Sequence, residues 1–366
     1  AILQNNFIPG GTTRVTLAVI EVMNDLDIIP DIYCYKGMSG YGIRQDLNTE
    51  VNYQIKHIPD LGIKSFGALK GIIRNIYFRQ RSEKYSLVFN ADSYLMFLPD
   101  ERKYLHYILY PRRVEIKYFS QNSSPFEKYL YNIPLSLLYQ LEKVQESSSY
   151  LVLSSFSKNL LVDYYHITES ARVHVLYPPV DIDSFWSTIN SRVDRISSVG
   201  SFDPSKNQLQ QIELAARLPE FTFFIMGSTI LNKAYFRKCQ NKVRRLGLSN
   251  VELLPDVSLK KLKVNLQESK FFLHSKKNEP FGIAAVEAAA AGCLPIVHQS
   301  GGQKETIPYQ ELQYKNFQEV PDMIRRLNAD GYGEMLNGVR KHIKQFDKDR
   351  FKKELQKYIR IILEQY

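Results

Sequence analysis

Two apolar segments, Lys270 to Ser275 and Leu294 to Gln299, bracket a run of small residues from Gly282 to Ala291, and no other stretch limits the fold so strongly. The apolar segments have the length and side chains of buried strands. The alanine-rich run between them reads as a tightly packed helix. Strand, helix and strand in that order make a βαβ unit, whose crossover brings the second strand back parallel to the first. A parallel sheet is covered on both faces. The rest of the chain must therefore supply more strands and the helices that cover them.

Strand-like Ile2 to Phe7 is followed by helix-like Thr12 to Asn24, strand-like Asp31 to Tyr35 and, after another helix, strand-like Ser86 to Ala91. The alternation continues through the strand Tyr104 to Leu109, a helical stretch Phe126 to Glu146 that contains Pro134, and the strands Tyr150 to Ser154 and Val173 to Tyr177. Tyr177-Pro-Pro-Val-Asp181 then interrupts regular structure. Beyond it come the strand Arg195 to Phe202, helix Lys206 to Leu218, strand Thr222 to Gly227, helix Asn232 to Leu246, strand Val251 to Leu254 and helix Leu259 to Glu268. The expected class is α/β with two Rossmann-like domains, over 1–180 and 181–346. A closing helix over 347–366, with Phe351, Leu355, Ile359 and Ile362 on one stripe, is expected to pack back on the first domain. A chain of 366 residues is long enough for two cores.

Glu279 falls in the loop at the carboxyl end of its strand, where open α/β sheets hold ligands, and Glu287 lies about two turns into the following helix. That helix opens at Phe281, Gly282 and Ile283, whose free amides and positive dipole end suit a phosphate. Carboxylates on either side would accept hydrogen bonds from sugar and ribose hydroxyls. The combination reads as a sugar-nucleotide site. The plain alternative is a solvated loop acid, a surface helix acid and close-packed alanines. Gly10-Gly11, between the first strand and helix, has a similar pair of readings: a loop open to a phosphate, or an ordinary βα turn.

A formal net charge of +10 and a pI near 9.2 point to anionic partners. No nucleic-acid partner is expected, because neither a recognisable motif nor a stacking platform accompanies the charge. Cys34, Cys239 and Cys293 stand apart with no CxxC pair, as reduced packing residues of a cytosolic protein do. No apolar run is long enough to cross a bilayer, and no signal peptide is expected because strand-like residues begin at Ile2. Asp25-Leu-Asp27, Asp181-Ile-Asp183 and Asp347-Lys-Asp349 have the spacing of metal-binding acid pairs, but so short a pattern arises often by chance. No metal and no cofactor are assigned.

Five segments in order carry a family resemblance: Gly10-Gly11, Val175-Leu-Tyr-Pro-Pro-Val-Asp181, Ser198-Val-Gly-Ser-Phe-Asp-Pro-Ser-Lys-Asn207, the Glu279 to Glu287 motif and Ser300-Gly-Gly302. Together they resemble the retaining glycosyltransferases of family 4, which have the GT-B fold of two Rossmann-like domains facing a nucleotide-sugar cleft. The resemblance implies that Glu279 contacts donor-sugar hydroxyls, that the amides of Phe281, Gly282 and Ile283 hold the diphosphate, and that Glu287 holds the ribose. It makes Lys206 the cation that neutralises the leaving diphosphate, and sets Gly10 and Gly11 beside donor phosphate and acceptor. It also implies a first-domain catalytic histidine facing the donor sugar, which is His106, unless Leu109-Tyr-Pro111 takes that place. Ser201 departs from the pattern. The family places an arginine at this donor-binding position; here Lys276 or Lys277 substitutes, or the donor is held less tightly, or activity is weak.

Three further segments are similar to the lipid-linked oligosaccharide α-1,2-mannosyltransferases and their archaeal relatives: Tyr107 to Arg113, Tyr129 to Tyr139 leading to Tyr150 to Lys158, and Val175 to Pro179. This implies transfer of a hexose, mannose from GDP-mannose, to a lipid-linked or other membrane-bound glycan, by a cytoplasmic protein peripheral to the membrane. A catalytically weak nucleotide-sugar-binding protein and a UDP-sugar-dependent transferase stay open as alternatives. Leu69 to Arg81 suits a membrane surface, with Leu69, Ile72, Ile73, Ile76 and Tyr77 as an apolar stripe and Lys70, Arg74, Arg79 and Arg81 as its cations. The same pattern fits a helix packed on its own sheet, and Tyr129 to Leu141 has the same two readings.

Overall fold

A computed structural model of the chain describes residues 1–7, 11–37, 51–59, 67–111, 137, 142, 144, 146–165, 172–188, 192–230 and 232–364. It divides into two units, Ala1–Pro179 with Asp349–Tyr366, and Val180–Lys348. The first contains β1 (Ile2–Leu3), β2 (Asn6–Phe7), α1 (Gly11–Asn24), β3 (Asp31–Cys34), β4 (Lys36–Gly37), β5 (Gln54–His57), α2 (Gly67–Arg79), β6 (Val88–Asn90), β7 (Tyr104–Ile108), β8 (Ser149–Val152), α3 (Ser155–Tyr165) and β9 (Arg172–Val175). Its main sheet has the order β5-β3-β1-β6-β7-β8-β9, and β2 pairs separately with β4.

The main sheet is parallel, and Ile2 stands in register between Ile32 and Phe89, all three fully buried. Strands covered on both faces carry such unbroken apolar runs. The expected strand Ile2 to Phe7 is in fact two short ones. The Asn5 amide leaves the main ladder and donates to the Asp92 carboxylate at 2.5 Å, which directs the chain into β2. The helical reading of Phe126 to Glu146 falls outside the described residues except at isolated positions, as does that of Tyr129 to Leu141.

One expectation about α2 is corrected. Arg74, read as a cation available to a membrane, has no exposed surface. Its Nη1 lies 2.5 Å from Asp92 Oδ2, while Nε and Nη2 donate to the Asn75 side chain and Nη2 also to that of Asn90. Ile72 and Phe78 are buried beside it; Leu69, Ile76 and Arg79 remain exposed.

The second unit contains α4 (Ile182–Phe185), β10 (Val193–Val199), α5 (Gln208–Ala215), β11 (Thr222–Gly227), α6 (Lys233–Leu246), β12 (Val251–Pro255), α7 (Leu259–Glu268), β13 (Ser269–His274), α8 (Ile283–Ala291), β14 (Leu294–His298), α9 (Gln303–Thr306), β15 (Gln313–Tyr314), α10 (Val320–Ala329) and α11 (Tyr332–Ile343). Its parallel sheet has the order β12-β11-β10-β13-β14-β15. Ala288 to Ala291 have no exposed surface, and their small side chains let α8 lie close on β13, β14, α4 and α11. From Asp349 the chain belongs again to the first unit, where α12 (Lys348–Leu363) buries Phe351, Leu355, Ile359 and Ile362. Phe351 meets the ring of Tyr107 edge to face, with centroids 6.2 Å apart.

Candidate active site

The loop between β13 and α8 is shaped by its neighbour. Asn278 adopts φ 51°, its amide donates to Ser300 Oγ at 2.8 Å, and the Gly302 amide donates to the Glu279 carbonyl at 2.9 Å. Gly301, at φ 72°, lies so close that a Cβ there would stand 2.4 Å from the Glu279 carbonyl oxygen. The Gln303 amide spans the same loop, donating to the carbonyls of Lys276 at 3.1 Å and His298 at 2.9 Å. Gly282, at φ 96°, then turns the chain into α8. The segment after β14 is thus a mould for the segment after β13.

Lys206 comes from the carboxyl end of β10. The expected helix Lys206 to Leu218 starts instead at Gln208, because Asn207 takes a left-handed conformation, φ 56°, after a short 3-10 turn at Pro204–Lys206. That break leaves Lys206 outside the helix, and three bonds hold it there. Asn207 Nδ2 donates to the Ser275 carbonyl at 2.8 Å, Ser275 Oγ donates to the Lys206 carbonyl at 2.6 Å, and Gln211 Nε2 donates to Ser275 Oγ at 2.5 Å. Ser201 lies beside this turn, its carbonyl accepting from Gln208 Nε2 at 2.9 Å.

The result is a charge cluster centred on one oxygen. Glu279 Oε2 lies 2.9 Å from Lys206 Nζ, 3.3 Å from Lys276 Nζ and 3.8 Å from His274 Nε2. Burial works against the Glu279 charge, but the two lysines outweigh it and hold the carboxyl well below the usual carboxylate range. Burial lowers the His274 pKa to about 4; Glu279 opposes the shift and the lysines add to it. Two ammonium groups, one carboxylate and one neutral imidazole leave the cluster with a net positive charge.

Helix α8 adds to this field. Among the described residues, the amides of Gly282 and Ile283 have no acceptor. At the other end the carbonyls are closed by cations and a hydroxyl. Arg192 Nη2 donates to Ala291 O at 2.8 Å, Arg340 donates to Ala289 O at 3.2 Å and Ala290 O at 2.8 Å, and Tyr332 donates to Gly292 O at 2.8 Å. Arg340 in turn lies over the ring of Trp186, 4.5 Å from its centroid. With its negative end neutralised and its positive end open, the helix favours an anion at Gly282 and Ile283.

Lys206 and Glu279 therefore meet in the loop that leads, through buried Phe281, to Gly282 and Ile283 at the start of α8, with Glu287, 5% exposed, further along the helix. Gly10 is outside the described residues. Gly11 opens α1 in the first unit, where a Cβ would meet no atom of the described residues within 4 Å. His106, expected to face the donor sugar, is enclosed in the first unit. It stands within β7 with no exposed surface, stacked 4.9 Å from Tyr150 and 6.0 Å from Tyr104, with Nδ1 3.2 Å from Asn90 Nδ2. Burial, assisted by Arg74, lowers its pKa to about 3. A neutral ring enclosed in this way has the surroundings of a core residue; Leu109 and Tyr110, just past the strand, are partly exposed. Two site residues escaped the sequence reading, His274 and Gln303. A histidine closing an otherwise apolar strand directly before the Glu279 loop was the available signal.

Residues 181–326 match the family described as "Glycosyl transferases group 1", so the second unit carries a domain of that kind. The chain is similar to the GDP-Man:Man(3)GlcNAc(2)-PP-Dol alpha-1,2-mannosyltransferase of Dictyostelium discoideum, 27% identical over 60% of this chain and 50% of that protein. To the enzyme of the same name from Xenopus tropicalis it is 34% identical over 39% of this chain and 32% of that protein. The chain thus spans half or less of these relatives' length. Among solved structures it resembles Anabaena Alr3699/HepE in complex with UDP and glucose, with a TM-score of 0.73, 15% identity and 98% of both chains covered. The fold is the expected α/β architecture of the GT-B glycosyltransferases.

Proposed function

We propose that this chain, whose second unit is a group 1 glycosyl transferase domain, is a retaining glycosyltransferase that moves mannose from GDP-mannose to a hydroxyl of a lipid-linked glycan. The observation that carries the reading is the convergence of Lys206, Lys276 and the open end of α8 around a Glu279 carboxylate that stays ionised. The names of the curated relatives support the donor and the acceptor class. In the reaction the bond from the anomeric carbon to the diphosphate breaks and the bond to the acceptor oxygen forms on the same face. The acceptor proton leaves with the diphosphate. Lys206, Lys276 and the amides of Gly282 and Ile283 stabilise the charge that develops on that leaving group. Glu279 accepts from sugar hydroxyls and orients the ring, and Glu287 holds the ribose. Lys276 serves where the family arginine is replaced by Ser201.

A lipid-linked acceptor requires work at a membrane surface. No helix among the described residues is long and apolar enough to cross one. Exposed Leu69, Ile76 and Arg79 on α2 support a peripheral contact at the cytoplasmic face, without the buried Arg74.

Glu279→Ala and Lys206→Ala are each expected to abolish mannose transfer while circular dichroism stays native. Full transfer by both variants would remove the mechanism. A thermal-shift comparison of GDP-mannose with UDP-glucose and UDP-N-acetylglucosamine tests the donor, because a ligand bound only by the folded state raises its stability. A larger shift with a UDP-sugar would establish the UDP-dependent alternative.

A further inference from the structure

A diphosphate that engages Lys206 and Lys276 draws them away from Glu279, whose side chain is only 16% exposed. A carboxylate so enclosed is costly without a partner. Directly behind it stands His274, 5% exposed, with Nε2 3.8 Å from Oε2, so a closure of about 1 Å makes a hydrogen bond. On the other side of the ring is Gln303, with no exposed surface. Both its amide hydrogens go to the carbonyls of Lys276 and His298, which leaves its Oε1 as an acceptor. Among the described residues neither Gln303 Oε1 nor His274 Nδ1 has a partner in hydrogen-bonding geometry, and Gln303 interacts favourably with the protonated ring. An imidazole with an acceptor at each nitrogen has all its bonds satisfied only as imidazolium.

We propose that His274 is a positioning residue that takes over Glu279 when a diphosphate binds: a solvent proton adds to the imidazole, and Nε2–H closes on Oε2 as the lysines turn to the phosphates. The carboxylate then stays fixed for the sugar. Among the described residues the charged groups facing the ring are Glu279 and Lys276 from the loop after β13 and Lys206 from the turn after β10; Gln303, from α9, is neutral. Phosphate charge cancels the two lysines, the groups that together with burial keep the ring neutral. Donor binding is thereby coupled to proton uptake at a residue that touches neither phosphate nor sugar. This inference rests on reading the cluster as a diphosphate site.

The test is isothermal titration calorimetry of the whole chain with GDP and with UDP, at neutral pH, in buffers of different ionisation enthalpy. The wild type is expected to take up more protons per nucleotide bound than His274→Gln, and the difference removes the nucleotide's own phosphate proton. Gln keeps a donor for Oε2, so His274→Gln should bind nearly as the wild type does. His274→Leu should bind about 10- to 100-fold more weakly, the range of a hydrogen bond to a charged group. Equal proton counts in wild type and His274→Gln, or undiminished binding by a folded His274→Leu, would overturn the proposal. Failure of the wild type to bind either nucleotide would instead bring down the diphosphate reading on which it stands.

Discussion

Gly301→Ala tests whether the site depends on the fit between its two loops. The added Cβ would lie 2.4 Å from the Glu279 carbonyl oxygen and 2.8 Å from Glu279 N, where ordinary contact begins at 3.4 Å. Both neighbours are backbone, so no side chain can swing away, and the Glu279 segment must move by about 1 Å. Forcing alanine to φ 72° costs about 1–2 kcal/mol, and loss of the Gly302 to Glu279 hydrogen bond adds about 1 kcal/mol. At roughly 2–4 °C per kcal/mol for a unit of this size, the melting temperature should fall by about 4–12 °C. A displacement near 1 Å at a positioned group lowers turnover by roughly 100-fold. The assay is mannose transfer per folded molecule, with melting followed by circular dichroism. Gly331→Ala is the control: its φ is 83° but nothing lies within 4 Å of the new Cβ. It should lose stability and keep its transfer rate. If Gly301→Ala loses no more transfer than Gly331→Ala, the loops do not hold Glu279 as argued.

Glu279 should also make the fold acid-sensitive. Its folded pKa lies below the ordinary 4.5, so its stabilisation is complete above that value and is lost as pH falls through and below it. Urea midpoints measured on descending from neutral pH should drop more steeply for the wild type than for Glu279→Gln, and parallel curves would contradict the ion cluster. In the first unit, Asp92→Ala strands the guanidinium of the fully buried Arg74 and should cost about 3–5 kcal/mol in urea unfolding. Replacing both, as Arg74→Met with Asp92→Ala, should recover part of that loss; a double variant weaker than the single one would show that the pair is not the source.

The alternation of strands and helices was legible because period and length change together, as at Lys270 to Gln299, where the structure places β13, α8 and β14. Boundaries were less so. The helix expected from Lys206 begins two residues later, since nothing in the residue order signals that Asn207 takes a positive φ. Burial was the least legible property. Arg74 sits among apolar residues at helical spacing, and only its pairing with Asp92, on the segment after β6, explains why it points inward. His106 and His274 are both enclosed strand histidines, yet the one expected to act is walled in by tyrosines and the one overlooked lies beside Glu279. A single sequence shows that a histidine ends or interrupts a strand. It does not show which face of the sheet the ring takes or what stands opposite, because those depend on partners far away along the chain.

The closure of α8 by Arg340 has a practical consequence. Trp186 is the sole tryptophan of the chain, and the guanidinium stacked on it also grips the last carbonyls of the helix whose opposite end faces the charge cluster. Indole emission is sensitive to a neighbouring cation, so a shift or rotation of this helix changes the fluorescence of the unmodified protein. Nature has thus placed an optical gauge at the quiet end of the rod, where occupancy of the other end can be followed without a label.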